Sequence, residues 1–213
     1  MYGLEKDSPC GPIHAIFGMT MALTKANHRL TEAQYLEIER AADFKSEFFD
    51  GEMFAMAGGS RRHSLIASNL IRELGNQLKG RPCVVYNSDL RIKIETSGLY
   101  TYPDASVVCG ASKSVTGADD TIVNPVLLAE VLSDSTEAYD RGRKSEQYRQ
   151  IPSLREYLLI NQNEPHIELM VRGENKWILH EASGANARIE LPALEITLSL
   201  TEIYLNVSLL DED

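Results

Sequence analysis

The stretch Pro125-Val126-Leu127-Leu128-Ala129-Glu130-Val131-Leu132 constrains this chain more than any other. It is apolar throughout except at Glu130. An apolar run of this length, bounded by turn-forming residues, reads as a buried strand, so other elements have to cover it. A charge inside such a strand costs several kcal/mol unless it is paired or ligates a metal. Glu130 is therefore either half of a buried salt bridge, with an arginine as the natural partner, or a metal ligand.

The flanking sequence supplies the covering elements. Thr31-Glu32-Ala33-Gln34 has capping-box spacing and predicts a helix near 32–43. Asp50-Gly51 between two strand-prone runs, Glu47-Phe48-Phe49 and Glu52 to Met56, predicts a hairpin. Ile66, Leu70, Leu74 and Leu78 recur every four residues along an amphipathic helix that Gly80 is placed to end. Leu90, Ile92 and Ile94 alternate with Arg91, Lys93 and Glu95, the pattern of a half-buried strand. A strand near 101–109 and a polar surface loop from Ala111 to Asn124 come next. After the apolar run, a helix near 137–150 closes at Pro152. Strands follow at Glu156 to Asn161, His166 to Arg172 and Lys176 to Glu181, then an alternating stretch from Ile189 to Leu200 and a short helix from Leu200 to Leu205. The order predicts an α/β fold class, an α+β arrangement in which a central mixed β-sheet is flanked by helices.

With 213 residues, 43% of them apolar, the chain is long enough for one domain with a full core. We expect that single domain over residues 21–213. Met1 to Thr20 matches neither the helix nor the strand period, and Met21-Ala22-Leu23-Thr24-Lys25 reads as a start, so residues 1–20 are expected to be an extension. No segment approaches the ~18 uninterrupted apolar residues of a membrane span. Cys83 and Cys109 sit in apolar strand-like runs, where buried thiols are expected. With Cys10 they make an odd count without a CxxC pair, a pattern that fits the cytoplasm. The net charge of −10 argues against a large electrostatic footprint on nucleic acid. Arg61-Arg62 and Arg141-Gly142-Arg143-Lys144 are local exceptions.

Several polar residues join Glu130 as candidates. Asp104 follows Pro103, which belongs at a strand start because it cannot donate to a ladder. Asp104 is thus a turn carboxylate or a cleft ligand. Carboxylates on two neighbouring strands would suit Mg²⁺ or Mn²⁺, with the Val131 carbonyl as a further ligand. Lys144 shares a helix face with Arg141 and Tyr148 at i, i+3/i+4, i+7 spacing. That face is a solvated charged surface, or it holds a phosphate or orients an attacking water. Glu47 offers a third carboxylate. His63 caps the long helix, faces water or joins the site, and Arg61 and Arg62 are candidates for phosphate contact. Two carboxylates with a lysine beside them are the equipment of metal-assisted phosphodiester hydrolysis.

At these residues the chain resembles the Uma2 family of the PD-(D/E)XK restriction-endonuclease-like superfamily. The matching stretches are Glu47-Phe48-Phe49-Asp50-Gly51-Glu52, His63 with its helix, Pro103-Asp104, Glu130-Val131-Leu132-Ser133, Asp140 with Lys144 and Tyr148, and Glu156-Tyr157. They span roughly residues 29–205. The resemblance implies a restriction-endonuclease-like core with Asp104 and Glu130 as metal ligands, and it implies a homodimer. The chain departs from the superfamily pattern where the lysine of Glu-X-Lys should stand, for it has Leu132 there; Lys144 is the expected substitute. The expectation is a Mg²⁺-dependent (or Mn²⁺-dependent) DNA endonuclease using Asp104, Glu130, Lys144 and Glu47. The net charge and the missing strand lysine favour the alternative, a retained fold that acts as a binding or accessory module.

Overall fold

A computed structural model of the protein describes residues 29–115 and 118–210. Helix α1 (Glu32–Ala41) opens with the Thr31/Gln34 capping box and leads to the hairpin of β1 (Ser46–Phe49) and β2 (Glu52–Ala55). Asp50 and Gly51 take φ values of 49° and 80°, the left-handed pair that a two-residue hairpin turn requires. Helix α2 (Arg61–Gln77) follows, then β3 (Cys83–Asn87), β4 (Arg91–Ile94), β5 (Leu99–Thr101) and β6 (Ala105–Cys109). Short strands β7 (Ser114–Val115) and β8 (Ala118–Ile122) precede β9 (Leu127–Leu132). A helical segment comes next, made of α3 (Glu137–Tyr139), a π-helical turn (Asp140–Lys144) and α4 (Ser145–Tyr148). The described chain ends with β10 (Glu156–Asn161), β11 (His166–Arg172), β12 (Trp177–Ser183), β13 (Arg188–Leu191), β14 (Ile196–Ser199) and α5 (Leu200–Ile203), followed by a 3-10 turn (Val207–Leu210).

The expected mixed α and β architecture is present, with its strands divided between two six-stranded sheets. One runs β12-β11-β10-β9-β6-β3 and the other β2-β1-β5-β4-β8-β7; β13 and β14 form a separate hairpin. Strand β9 is interior, parallel to β10 and antiparallel to β6, and each of its residues is buried. Its side chains alternate between two cores, as a pleated strand requires. Leu127, Ala129 and Val131 pack with Ile66, Leu70 and Leu74 of α2 and with the β13–β14 hairpin. Leu128 and Leu132 pack on the opposite side with Ile92, Ile94 and Leu99 of the second sheet. Glu130 lies between these two along the strand, so it projects toward the second sheet.

Four local expectations need correction. The strand expected near 101–109 is broken at Tyr102-Pro103-Asp104, and β5 and β6 belong to different sheets. The segment expected as a surface loop contains β7 and β8, and β8 pairs in parallel with β4. Arg91, which the alternation places on a wet face, is only 2% exposed, because the Asp120 carboxylate and the Tyr102 hydroxyl meet its guanidinium. Cys83 and Cys109 are not free thiols. The antiparallel register of β3 and β6 sets them directly opposite one another, and they form a disulfide. The expected extension, residues 1–20, lies outside the described residues. No helix among the described residues is long and apolar enough to cross a membrane.

Candidate active site

The β1–β2 hairpin, the start of α2, the ends of β5 and β9, and the π-helical turn surround a cavity of about 820 Å³. Pro103 interrupts strand pairing just before β6, which leaves Asp104 at the cavity wall. The Val131 N–H donates to Asp104 Oδ2 at 2.7 Å, and His63 Nε2 lies 3.1 Å from the same oxygen. His63 occupies the first turn of α2, where its N–H donates to the capping Ser60 hydroxyl at 3.1 Å. A Cβ at Gly59 would lie 2.6 Å from His63 Nδ1, so a larger residue there would push the ring from its place beside Asp104. The Asp104 hydrogen bond raises the His63 pKa; burial opposes it, and the Asp104 charge and the Val131 backbone reinforce it.

The π-helical turn builds the other half of the site. It turns both Asp140 and Lys144 inward, and both are buried. Lys144 Nζ lies 2.9 Å from Glu130 Oε1, 3.3 Å from Glu47 Oε1 and 3.4 Å from Asp140 Oδ1. Hydroxyls fix these carboxylates. Tyr148 donates to Glu130 Oε1 at 2.6 Å, Thr101 to Glu47 Oε1 at 2.5 Å, and Tyr139 to Glu47 Oε2 at 2.9 Å. The Tyr157 hydroxyl donates to the Asp140 carbonyl at 3.1 Å and braces the turn.

Acidic groups outnumber the lysine. Burial pushes the Glu130 carboxyl up to about 8; the Lys144 charge pulls the other way, and the Asp140 and Asp104 charges add to the rise. Burial also raises Asp140. For Lys144, burial weighs against the ammonium form, but Glu130, Glu47 and Asp140 outweigh it and hold its pKa well above the usual lysine range. The result is a set of oxygen donors with surplus negative charge around a lysine that stays protonated. Such a set attracts a hard cation.

The structure brings together Glu47, His63, Asp104, Glu130, Val131 and Lys144, all of which line the cavity. Tyr148 is fully buried; its hydroxyl holds Glu130, and Lys144 Nζ lies 5.8 Å from the centre of its ring. Arg141 does not line the cavity; it pairs with Glu137 at 2.7 Å and with Glu168 at 2.5 Å. Helical spacing allows either Arg141 or Asp140 beside Lys144; here Asp140 shares its buried side, and Arg141 turns to Glu137 and Glu168. Arg143 lines the cavity in its place. Arg61 and Arg62 begin α2 outside the lining. Thr101 and Tyr139 were not foreseen. Their spacing carries no signal, since the partner of each lies far away in sequence. Asp140 did carry one, the four-residue interval to Lys144.

The model of the Uma2 family, described as "Putative restriction endonuclease", matches residues 32–205. The chain belongs to the Uma2 family. Every cavity residue named above falls within the match. Two uncharacterized proteins of Synechocystis sp., sll1609 and slr1290, are 39% and 37% identical to this Uma2 chain. The first alignment covers 84% of this chain and 99% of the relative, the second 83% and 92%. Among solved structures, a putative nuclease belonging to DUF820 from Anabaena variabilis matches with a TM-score of 0.67, covering 82% of this chain and 97% of that one. At 16% identity this likeness is one of fold.

Proposed function

We propose that this Uma2 protein is a metal-dependent DNA endonuclease that hydrolyses phosphodiester bonds with a metal-activated water. The observation that carries this reading is the charge imbalance at the cavity, where Glu47, Glu130 and Asp140 surround Lys144 and Asp104 lines the same space. An all-oxygen donor set of this kind fits Mg²⁺ or Mn²⁺, held by Asp104, Glu130 and the Val131 carbonyl. A bound ion of that class lowers the pKa of water and offsets charge on the phosphate. Lys144, kept protonated by its carboxylates, is no base; its role is to donate a hydrogen bond to the attacking water or to a phosphate oxygen. Glu47, tied by Thr101 and Tyr139, holds Lys144 in place. Tyr148 sets the orientation of Glu130. Arg143, on the cavity wall, supplies a second cation for the phosphate.

The test is cleavage of supercoiled, linear duplex and single-stranded DNA in Mg²⁺ and in Mn²⁺, with wild type beside Asp104→Ala and Lys144→Ala. Metal-dependent cutting that both variants lose supports the assignment. Undiminished cutting by folded Asp104→Ala sinks it. The net charge of −10 favours a second reading, a binding or accessory protein without catalysis. Folded protein that neither cuts DNA nor gains thermal stability with either ion selects that one.

The assembly we propose is a homodimer, supported by the exposed Ile178 and Leu179 on edge strand β12 and tested by light scattering on the purified protein. The compartment we propose is the cytoplasm. The Cys83–Cys109 bridge is the observation against it, since disulfides are rare in reducing compartments, and alkylation of protein from intact cells decides.

A further inference from the structure

The hairpin wall beside Glu47 is apolar. In the β1–β2 pair, Glu47 stands directly opposite Phe54. Opposed residues of an antiparallel pair project to the same face, and so do residues two apart along one strand. Glu47, Phe49 and Phe54 therefore share a face, and all three line the cavity together with Met56 just beyond β2. Phe54 is 50% exposed, so half of a large ring meets solvent at the rim of an acidic site. Scattered exposed apolar residues are ordinary on protein surfaces. Here the ring joins two other apolar side chains and opens onto the same space as Asp104 and Lys144.

We infer that this wall stacks an unpaired base, and that the protein therefore acts on single-stranded nucleic acid rather than on intact duplex. The inference rests on the nuclease reading above and names its substrate class. Duplex binding draws its affinity from lysines and arginines laid along the phosphate backbone. This chain carries a net charge of −10, and Arg40, Arg72, Arg91 and Arg141 are each engaged with carboxylates of their own protein. A cavity of about 820 Å³ is also the size of a small-molecule site, so a base reaches its floor only after leaving the helical stack. Stacking on an aromatic ring supplies affinity that needs no basic track and tolerates any base. A base on Phe54 would leave its own phosphate to the polar side of the cavity, where Lys144 and Arg143 are the cations.

The inference is tested by fluorescence anisotropy with labelled single strands of about 12 nucleotides, as DNA and as RNA, beside the matching DNA duplex. Ca²⁺ replaces Mg²⁺, and the proteins are wild type, Phe54→Ala and Phe54→Tyr. Phe54 is exposed, so the variants should melt like wild type. Wild type should hold a single strand roughly 10-fold more tightly than duplex, Phe54→Ala should lose about 10-fold on single strands alone, and Phe54→Tyr should retain the affinity. Tight binding of either single strand supports the inference, and the two strand chemistries show which nucleic acid is preferred. Duplex bound as tightly as single strands, or an unchanged Phe54→Ala, overturns it. In that case, metal-dependent cutting of both DNA forms would leave the nuclease reading intact. Failure to bind any nucleic acid, with no thermal response to divalent ions, would remove both.

Discussion

Arg91 and Lys144 are buried to nearly the same degree, 2% and 4% exposed, in very different surroundings. Arg91 meets the Asp120 carboxylate at 2.8 Å, the Thr121 hydroxyl at 2.9 Å and the Tyr102 hydroxyl at 3.1 Å. Tyr102 in turn donates to Glu39, whose carboxylate also accepts the Ser46 N–H. The Asp120 side chain is 44% exposed, so water shares in neutralising that network. Lys144 has no such outlet. Its three carboxylate partners have side chains only 5–10% exposed, and Asp104 nearby is 16% exposed. The first network balances two cations, Arg40 and Arg91, against two carboxylates, Asp120 and Glu39, and fastens α1 to the second sheet, although Glu39 Oε2 keeps no hydrogen-bond partner among the described residues. The second sets one lysine against three buried carboxylates and balances only when protons or another cation join it.

The sharpest test removes each cation. Lys144→Met should cost about 3–5 kcal/mol in urea unfolding at about pH 9, above the folded pKa of Glu130. The cost should shrink at lower pH, because Glu130, with a folded pKa of about 8, takes up a proton there. Arg91→Met should cost less and vary little over that range. Equal, pH-independent losses at the two positions would break the distinction.

Glu156 provides a control, since it is a buried carboxyl with no cation beside it among the described residues. Its Oε1 accepts the Ala193 N–H at 2.7 Å, and burial pushes its pKa up to about 7 from the ordinary 4.5. A folded pKa above the unfolded one means that the folded state holds the extra proton. Stability from this group is therefore highest below the unfolded pKa and falls as pH rises toward about 7. At about 1.4 kcal/mol per pH unit, Glu156→Gln should gain about 3 kcal/mol over wild type near pH 8. The gain should vanish near pH 4.5; a gain that persists in acid would point to packing instead.

Divalent ions should separate the two raised carboxyls. Mg²⁺ or Mn²⁺ at about 100 times its Kd should stabilise wild type by about 2.7 kcal/mol. Glu130→Gln should abolish that response in a thermal-shift titration, and Glu156→Gln should keep it. Loss in both variants would mean that the response does not come from the cavity. The smallest change is expected from Arg40→Ala, at the exposed end of the Arg91 network, because surface ion pairs contribute little. A large fall in melting temperature would show that Arg91 depends on Arg40 to hold Asp120.

Much of the scaffold was legible in the sequence, because the signals involved are short-range. The capping box of α1, the Asp50-Gly51 turn, the four-residue repeat of α2 and the apolar run of β9 each act within a few neighbouring residues. The same applies to Asp104 and Glu130 as suspects, since a proline before one and apolar neighbours around the other are local facts. Their surroundings were not legible. Arg91 looks wet by alternation and is buried because β8 and α1 close over it. Lys144 reaches Glu130 on a different element, a contact that no helical period foresees. Thr101 and Tyr139 meet Glu47 across 54 and 92 residues of chain. Periodicity and turn chemistry determine which residues share a face, but the energy of a buried charge depends on every group within a few ångströms. For Glu130 and Lys144, only the packing of β9 against the second sheet and the helical segment assembles those groups.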